Sequence, residues 1–179
     1  LKVCISGGSA IKESAFTLMN ALGYTIFNGY GMTEIGITSA DIAVKPKKKS
    51  YDSIGAPFPS SEYSISERGT LLIKGGTVCK KMIIDGVAEE NSGWFDSGDL
   101  ARADEKGRYF ILGRESDLVF SDNGENLNPN LCEEAYDLPH AVNFSVVGDE
   151  KNERLVLVAE VPNDLTDTQK EELIAAINA

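Results

Sequence analysis

Apolar and polar positions along this chain follow three different rhythms in turn. Within the first 44 residues, Val3 to Ser6 is a short apolar run and Gly7-Gly8-Ser9 a turn. Ile11, Ala15, Leu18 and Leu22 then fall at i, i+4, i+7 and i+11, the apolar stripe of one helix, with Gly23 placed to stop it. Tyr24 to Phe27 is a second short strand, so the block reads β-α-β, the unit of an α/β sheet.

From residue 50 to about 112 the rhythm shortens to runs rich in strand formers. EYSIS, GTLLIKG, KKMII and RYFILG are separated by Gly, Ser, Asp and Asn, and Asp104-Glu105-Lys106-Gly107 reads as a hairpin turn. A small antiparallel sheet or barrel is expected. Beyond residue 114 the pattern changes again. Asn128-Pro129 offers an N-cap and a first helical proline, and Leu131, Ala135 and Leu138 share a helical face. Val142, Phe144 and Val146 alternate, as do Leu155, Leu157, Ala159 and Val161, and Thr166 with Gln169 forms a capping box before a closing helix. The fold class predicted is α+β: the end of an α/β subdomain, an antiparallel β-rich subdomain, and a small α+β domain joined through residues 113–117.

Composition narrows the function. A chain of 179 residues with 42% apolar residues can bury a core, in one domain or two small ones. With 17 basic against 28 acidic residues the net charge is −11, which argues against a nucleic-acid partner. The run Lys45-Pro46-Lys47-Lys48-Lys49 goes against that balance and reads as a solvated loop, with an anion-docking patch as the alternative. Cys4, Cys79 and Cys132 are odd in number and far apart, which suits neither a disulfide framework nor a zinc site and fits a reducing, cytoplasmic setting. No apolar run approaches the ~20 residues of a membrane span. The start at Leu1-Lys2-Val3, with no initiator methionine, reads as a piece of a longer protein.

The stretch YTIFNGYGMTEIG, residues 24–36, carries the first candidate chemistry. A dinucleotide fingerprint would need glycine where Glu34 stands, and a carboxylate there repels a pyrophosphate unless a metal lies between. Other chemistry suits the residues better. Glycines let the backbone approach a flat ligand, and Tyr30 offers a stacking face. Thr33 can bond a phosphate oxygen, and Glu34 can hold a magnesium ion that bridges phosphates. A tight strand-to-helix turn capped by Thr33 is the competing reading. Farther on, GWFDSGDLA places Asp99 after a glycine turn, where it is an acceptor for two ribose hydroxyls or a plain turn aspartate. Arg114 follows a strand, its donors within reach of ribose or phosphate oxygens, or else it lies along the surface.

The order of these motifs resembles the adenylate-forming enzymes, the superfamily of acyl-CoA synthetases, luciferases and peptide-synthetase adenylation domains. SGGSA is similar to its adenine-side loop, GYGMTE to its aromatic-Gly-x-Thr-Glu motif, and GTLLIKGGTV to its Gly-Glu-Leu strand. GWFDSGDLA resembles its ribose-binding aspartate motif, and GRESDLVFSDNGENLNPNLCEEA its interdomain hinge. The resemblance implies a two-step reaction. A carboxylate attacks the α-phosphate of Mg-ATP to give an acyl-adenylate and pyrophosphate, and a thiol then takes the acyl group.

Carried over, it implies that Gly8, Ser9 and Ala10 line the adenine, with Tyr30 stacking on it, Gly31 in the same nucleotide site, and Ile111 beside the base. Thr33 would contact the phosphate and Glu34 the magnesium, these two being the catalytic pair. Asp99 would hold the ribose, Arg114 the ribose and nearby oxygens, and Asp117 would be the hinge. The implied domains are 1–113, the C-terminal part of the large domain (1–44 its α/β piece, 50–112 its β-rich part), and 114–179, most of the small lid domain. The implied cofactors are ATP or AMP, magnesium and coenzyme A as thiol substrate, with a small carboxylic acid as the other partner.

The family's phosphate loop would lie upstream of Leu1 and its adenylation lysine beyond Ala179. Thr70 stands where the Gly-Glu-Leu acid is usual, Phe120 where many members have lysine, and Asn123 in place of the first glycine of the hinge loop's pair. Two other readings stand beside an acyl-CoA synthetase: an adenylation domain that loads a carrier protein, and a nucleotide-binding module without chemistry. His140, Trp94 and the cysteines are expected to be structural, with Trp94 in the core beside Asp99.

Overall fold

A computed structural model describes residues 3–9, 11–43, 50–91, 93–120, 126–127, 129–149 and 154–178. Ala10, the lysine run 45–49, Asn123 and Asn128 lie outside these residues, as do the side chains of Phe120 and Leu131. The chain divides into two compact units, Leu1–Glu115 and Ser116–Ala179.

In chain order the first unit contains β1 (Val3–Ser6), α1 (Glu13–Ala21), β2 (Thr25–Met32), β3 (Gly36–Asp41) and β4 (Ser53–Pro57). There follow β5 (Ser61–Ile65), β6 (Thr70–Gly75), β7 (Lys81–Ile84), β8 (Val87–Glu90), β9 (Phe95–Ala103) and β10 (Tyr109–Arg114). The strands β1-β2-β3-β4-β10-β9-β6-β5 form one sheet in that order, while β7 and β8 form a separate hairpin. Among the described residues only β1 and β2 pair in parallel, across the α1 connection, and every other pair is antiparallel. The short apolar runs thus build a mixed sheet that spans both the first block and the second.

That sheet curls tightly. Four strand spacings separate β2 from β9, roughly 19 Å if the sheet were flat. Yet Tyr30 of β2 hydrogen-bonds Asp99 of β9. Thr38 of β3 likewise meets the Tyr63 hydroxyl of β5 at 2.6 Å, although five spacings lie between their strands. The concave face closes on a core of Tyr30, Ile35, Ile54, Leu71, Ile73 and Ala101. Ile35, at 0% exposure, comes from the β2–β3 turn and plugs this core. Asn28, also buried, donates to the Tyr51 and Ser53 carbonyls and ties β2 to the start of β4.

In the second unit β11 (Val119–Phe120) pairs with β12 (Asn126–Leu127), and α2 (Pro129–Ala135) follows. Then come an antiparallel pair, β13 (Asn143–Asp149) with β14 (Arg154–Glu160), and α3 (Asp167–Ile177). Glu133 of α2 accepts from the Ser145 hydroxyl and the Val146 amide, which fastens that helix to β13. The capping box forms as expected, the Gln169 amide donating to Thr166 Oγ1 and the Thr166 amide to Gln169 Oε1. Among the described residues no helix is long and apolar enough to cross a membrane.

Several expectations need correction. The buried residue of α1 is Phe16, and the expected stripe lies outward, with Leu18 59% exposed. After Tyr30 the chain does not turn into a helix: β2 continues to Met32 and doubles back as β3. Asp99 lies within a long strand and not after a turn, because period-two reading of FDSGDLARA is masked by its polar residues. Leu138 is buried but lies beyond the end of α2. Trp94 is 43% exposed, with the Lys74 ammonium 5.8 Å from its ring centroid, and is not core. The hairpin at Asp104-Gly107 forms as read, the Gly107 amide donating to the Asp104 carbonyl.

The tight return at Gly31 gives a stability prediction. A Cβ there would lie 2.2 Å from the Gly36 carbonyl oxygen and 2.8 Å from Ile37 Cα, both backbone atoms of the paired strand. Gly31→Ala should therefore destabilise the first unit by about 3 kcal/mol. Gly76→Ala, where a Cβ meets nothing, should stay within about 0.5 kcal/mol of the parent. Urea unfolding followed by the fluorescence of Trp94, the one tryptophan, reads this unit directly.

Candidate functional site

The site grows from an irregularity in β9. Thr70 of β6 pairs with Leu100 and Leu72 with Asp96, so the single residue Leu71 faces the three residues Ser97, Gly98 and Asp99. On the other edge, Ala101 pairs with Ile111 but Leu100 with Gly113, a second shift that places Arg114 opposite Asp99. Bulges of this kind bend a strand and re-aim its side chains. Gly98 and Gly113 have φ of 68° and 137°, backbone that glycine adopts without the Cβ penalty. Ser97 mends the ladder: its hydroxyl donates to the Leu71 carbonyl at 2.8 Å and accepts from the Asp99 amide at 3.1 Å.

Asp99, 6% exposed, is gripped on both oxygens. The Tyr30 hydroxyl donates to Oδ2 at 2.5 Å, and Arg114 Nε lies 2.8 Å from Oδ1. Burial, and after it the hydrogen bond to Asp99, pushes the Tyr30 phenol well above the ordinary tyrosine range, so it remains a neutral donor. The Arg114 side chain is 55% exposed. A carboxylate with one donor on each oxygen keeps further acceptor capacity, and two vicinal hydroxyls match it.

The same hairpin presents Thr33 and Glu34. Its turn is tied by the Ile35 amide to the Met32 carbonyl at 3.2 Å and by the Cys79 amide to the Glu34 carbonyl at 2.7 Å. With Ile35 driven into the core, Thr33 is exposed and Glu34 half-buried. Gly8 and Ser9 are exposed on the loop after β1, and that loop lies against β2: a Cβ on Gly7 would stand 3.1 Å from the Gly29 carbonyl oxygen. Ile111 is half-buried against the core that includes Tyr30. The fold thus joins Tyr30, Asp99 and Arg114 by direct bonds and seats Gly31, Thr33 and Glu34 on the hairpin that carries Tyr30. Asp117 belongs to the second unit and is exposed.

Three features escaped sequence reading. Ser97 completes the Asp99 bulge, and its only signal was the hydroxyl-Gly-carboxylate order. Asn28, just past the strand read at Tyr24–Phe27, is a buried tie. Thr70, fully buried, donates to Asp96 at 3.1 Å, and Asp96 also pairs with Arg68 at 2.8 Å, which reaches Glu115 at 3.3 Å. His140 lies 2.7 Å from Glu172. Among the described residues no cluster of three or more His, Cys, Asp or Glu could hold a metal alone.

Residues 1–80 match the family model of the AMP-binding enzymes. Over 155 residues the chain is 29% identical to the long-chain-fatty-acid–CoA ligase FadD15 of Mycobacterium bovis, covering 84% of this chain and 25% of that protein. Over 140 residues it is 31% identical to the 2-succinylbenzoate–CoA ligase of Listeria monocytogenes, with 74% and 29% covered. In three dimensions it resembles the O-succinylbenzoate coenzyme A synthetase (MenE) of Bacillus subtilis. The TM-score is 0.77 against the complex with AMP, at 22% identity over 99% of this chain and 39% of that one. Against the complex with ATP and a magnesium ion it is 0.71, at 23% identity over 97% and 40%. The chain spans about a quarter to three tenths of the length of these curated relatives.

The donor role of Tyr30 has a spectroscopic consequence. Burial also raises the Tyr63 phenol. These two of the six tyrosines should stay protonated at a pH where a free phenol, with its pKa of ~10, has ionised. A phenolate titration at 295 nm on the folded chain should show a reduced amplitude that is completed only on unfolding. Because both values are raised by folding, their stabilisation is complete below pH ~10 and lost as pH rises above it. Tyr30→Phe should remove part of that alkaline loss.

Proposed function

We propose that this chain, a member of the AMP-binding family of adenylate-forming enzymes, is the nucleotide-holding part of an ATP-dependent acyl-CoA ligase. The observation that carries this reading is the convergence of Tyr30 and Arg114 on the two oxygens of Asp99. In this reading Asp99 accepts the ribose hydroxyls and the outer nitrogens of Arg114 reach the ribose and nearby oxygens. Gly8, Ser9, Ala10, Gly31 and Ile111 surround the adenine, against which the Tyr30 ring lies. The first unit is the C-terminal part of the large domain, the second most of the small lid domain, and Asp117 the hinge. The setting is cytoplasmic, in keeping with three free cysteines.

Thr33 and Glu34, a hydroxyl beside a carboxylate on a pinned turn, are hard oxygen donors of the kind that suit magnesium together with substrate phosphates. A magnesium ion held there would neutralise charge on the phosphates during transfer. Thr33 donates to a phosphate oxygen and fixes it in line. The substrate carboxylate oxygen then bonds to the α-phosphorus as the bond to pyrophosphate breaks. In the second step the sulfur of coenzyme A, its proton lost, bonds to the acyl carbon and AMP leaves.

The whole protein that carries this chain should catalyse ATP–pyrophosphate exchange dependent on a carboxylic acid, and thioester formation with coenzyme A. A panel of aliphatic and aromatic acids tests this, and no exchange with any acid removes the reading. Glu34→Gln keeps the shape and removes the charge. Exchange should fall by at least tenfold and recover in part as magnesium is raised. If the variant matches the parent across a magnesium titration, the metal role of Glu34 is wrong.

Asp117 is tested by chain geometry. The first unit ends at Glu115, so few residues absorb a rotation between the two half-reactions. Asp117→Pro fixes φ and removes the amide donor. Single-turnover pyrophosphate release should survive, while thioester formation from pre-formed acyl-adenylate should drop by at least ~100-fold. Equal losses in both steps would make Asp117 a packing residue.

A further inference from the structure

We propose that the Tyr30 hydroxyl, separately from its ring, is a positioning group that sets the enzyme's preference for ribonucleotides over deoxyribonucleotides. The inference rests on the reading of Asp99 as ribose acceptor and adds a residue to it. A carboxylate on a flexible tether can rotate about its terminal bond and meet one hydroxyl at a time. Here that rotation is stopped from two sides. The Tyr30 hydroxyl holds Oδ2 at 2.5 Å and Arg114 Nε holds Oδ1 at 2.8 Å. Each oxygen keeps a free acceptor direction, and the plane of the carboxylate is fixed.

The two grips are unequal. Arg114 is 55% exposed, and an exposed guanidinium is mobile and screened. Tyr30 is buried in the core beside Ile35, Leu71 and Ile73, and its phenol is anchored to β2, which Asn28 ties to β4. The orientation of Asp99 is therefore imposed chiefly from Tyr30. Ser97 fixes the backbone beneath it, leaving the side-chain plane as the remaining freedom. Preorganised acceptors lose less on binding than acceptors that must first be ordered. Tyr30 should thus strengthen the bonds to the 2′- and 3′-hydroxyls while leaving the transfer at phosphorus alone.

Tyr30→Phe isolates the hydroxyl, since the ring and its packing remain. In the whole enzyme, pyrophosphate release is measured with ATP, 2′-deoxy-ATP and 3′-deoxy-ATP. The variant should raise the KM for ATP roughly tenfold with kcat within about twofold, as loss of a charge-assisted hydrogen bond predicts. The preference for ATP over each deoxy analogue, as a ratio of kcat/KM, should shrink by a similar factor. Replacement of Tyr30 by 3-fluorotyrosine, which keeps the hydroxyl, should restore the preference. Asp99→Ala separates the two levels of inference. If it leaves the preference unchanged, the ribose reading itself fails. If it abolishes the preference but Tyr30→Phe only lowers the melting temperature, the hydroxyl is a packing partner and the proposal is overturned. A 3-fluorotyrosine enzyme with the phenylalanine phenotype would overturn it equally.

Discussion

A tyrosine on β2 and an aspartate on β9 cannot meet across a flat sheet, and in this protein their side chains are 2.5 Å apart. The curl that brings them together is the constraint on which the site depends. It is held by side chains that fill the concave face, chiefly Ile35, Leu71 and Ile73, each wholly buried. It also requires bare backbone where strands cross closely. A Cβ on Gly31 would lie 2.2 Å from the Gly36 carbonyl oxygen, and one on Gly55 2.3 Å from that of Ala40. Glycine in a strand interior weakens pairing by roughly 0.5–1 kcal/mol relative to alanine. The packing of a buried isoleucine or leucine contributes several times that, so the close approach is retained.

Asp99 shows what the curl achieves chemically. A carboxylate only 6% exposed would be strongly destabilising without partners. Two donors from opposite directions offset that cost, and their strengths differ. A buried hydrogen bond to a charged group contributes about 1.5–3 kcal/mol, whereas exposed ion pairs contribute about 0–1 kcal/mol. The Tyr30 bond is of the first kind and the Arg114 bond nearer the second. The buried donor suits permanent alignment, and the more exposed arginine is the less fixed of the two.

Much of the scaffold was legible in the chain. The strand Val3–Ser6, the hairpin at Asp104–Gly107 and the Thr166–Gln169 box each depend on local chemistry, and each forms where it was read. What failed was anything decided by distant partners. The stripe of α1 pointed to Leu18, whereas Phe16 is the residue of that helix buried within this chain. β9 hid behind its polar residues, since Ser97 and Asp99 satisfy each other and the bulge instead of alternating with apolar ones. The strand read at Tyr24–Phe27 in fact runs on through Gly29 and Gly31 to Met32. The sequence brought Tyr30, Asp99 and Arg114 into one hypothesis through motif order. Their mutual bonds required the fold.

The end of the first unit is held by a chain of side-chain contacts. Arg114 pairs with Asp99 and its neighbour Glu115 with Arg68, which is itself held by Asp96 and through it by the buried Thr70. Each exposed pair is weak, but two adjacent residues restrained by separate partners, one of them inside a strand ladder, have little freedom left. The first compact unit ends at Glu115, within the 3-10 turn Glu115–Asp117. Thr70 has a part in this. A second carboxylate at that position would compete with Asp96 for Arg68, whereas a neutral hydroxyl donates to Asp96 and leaves the guanidinium to bridge Asp96 and Glu115. A pivot is sharp only if the chain on its fixed side is held up to the last residue, and the hinge role we assign to Asp117 draws on that restraint.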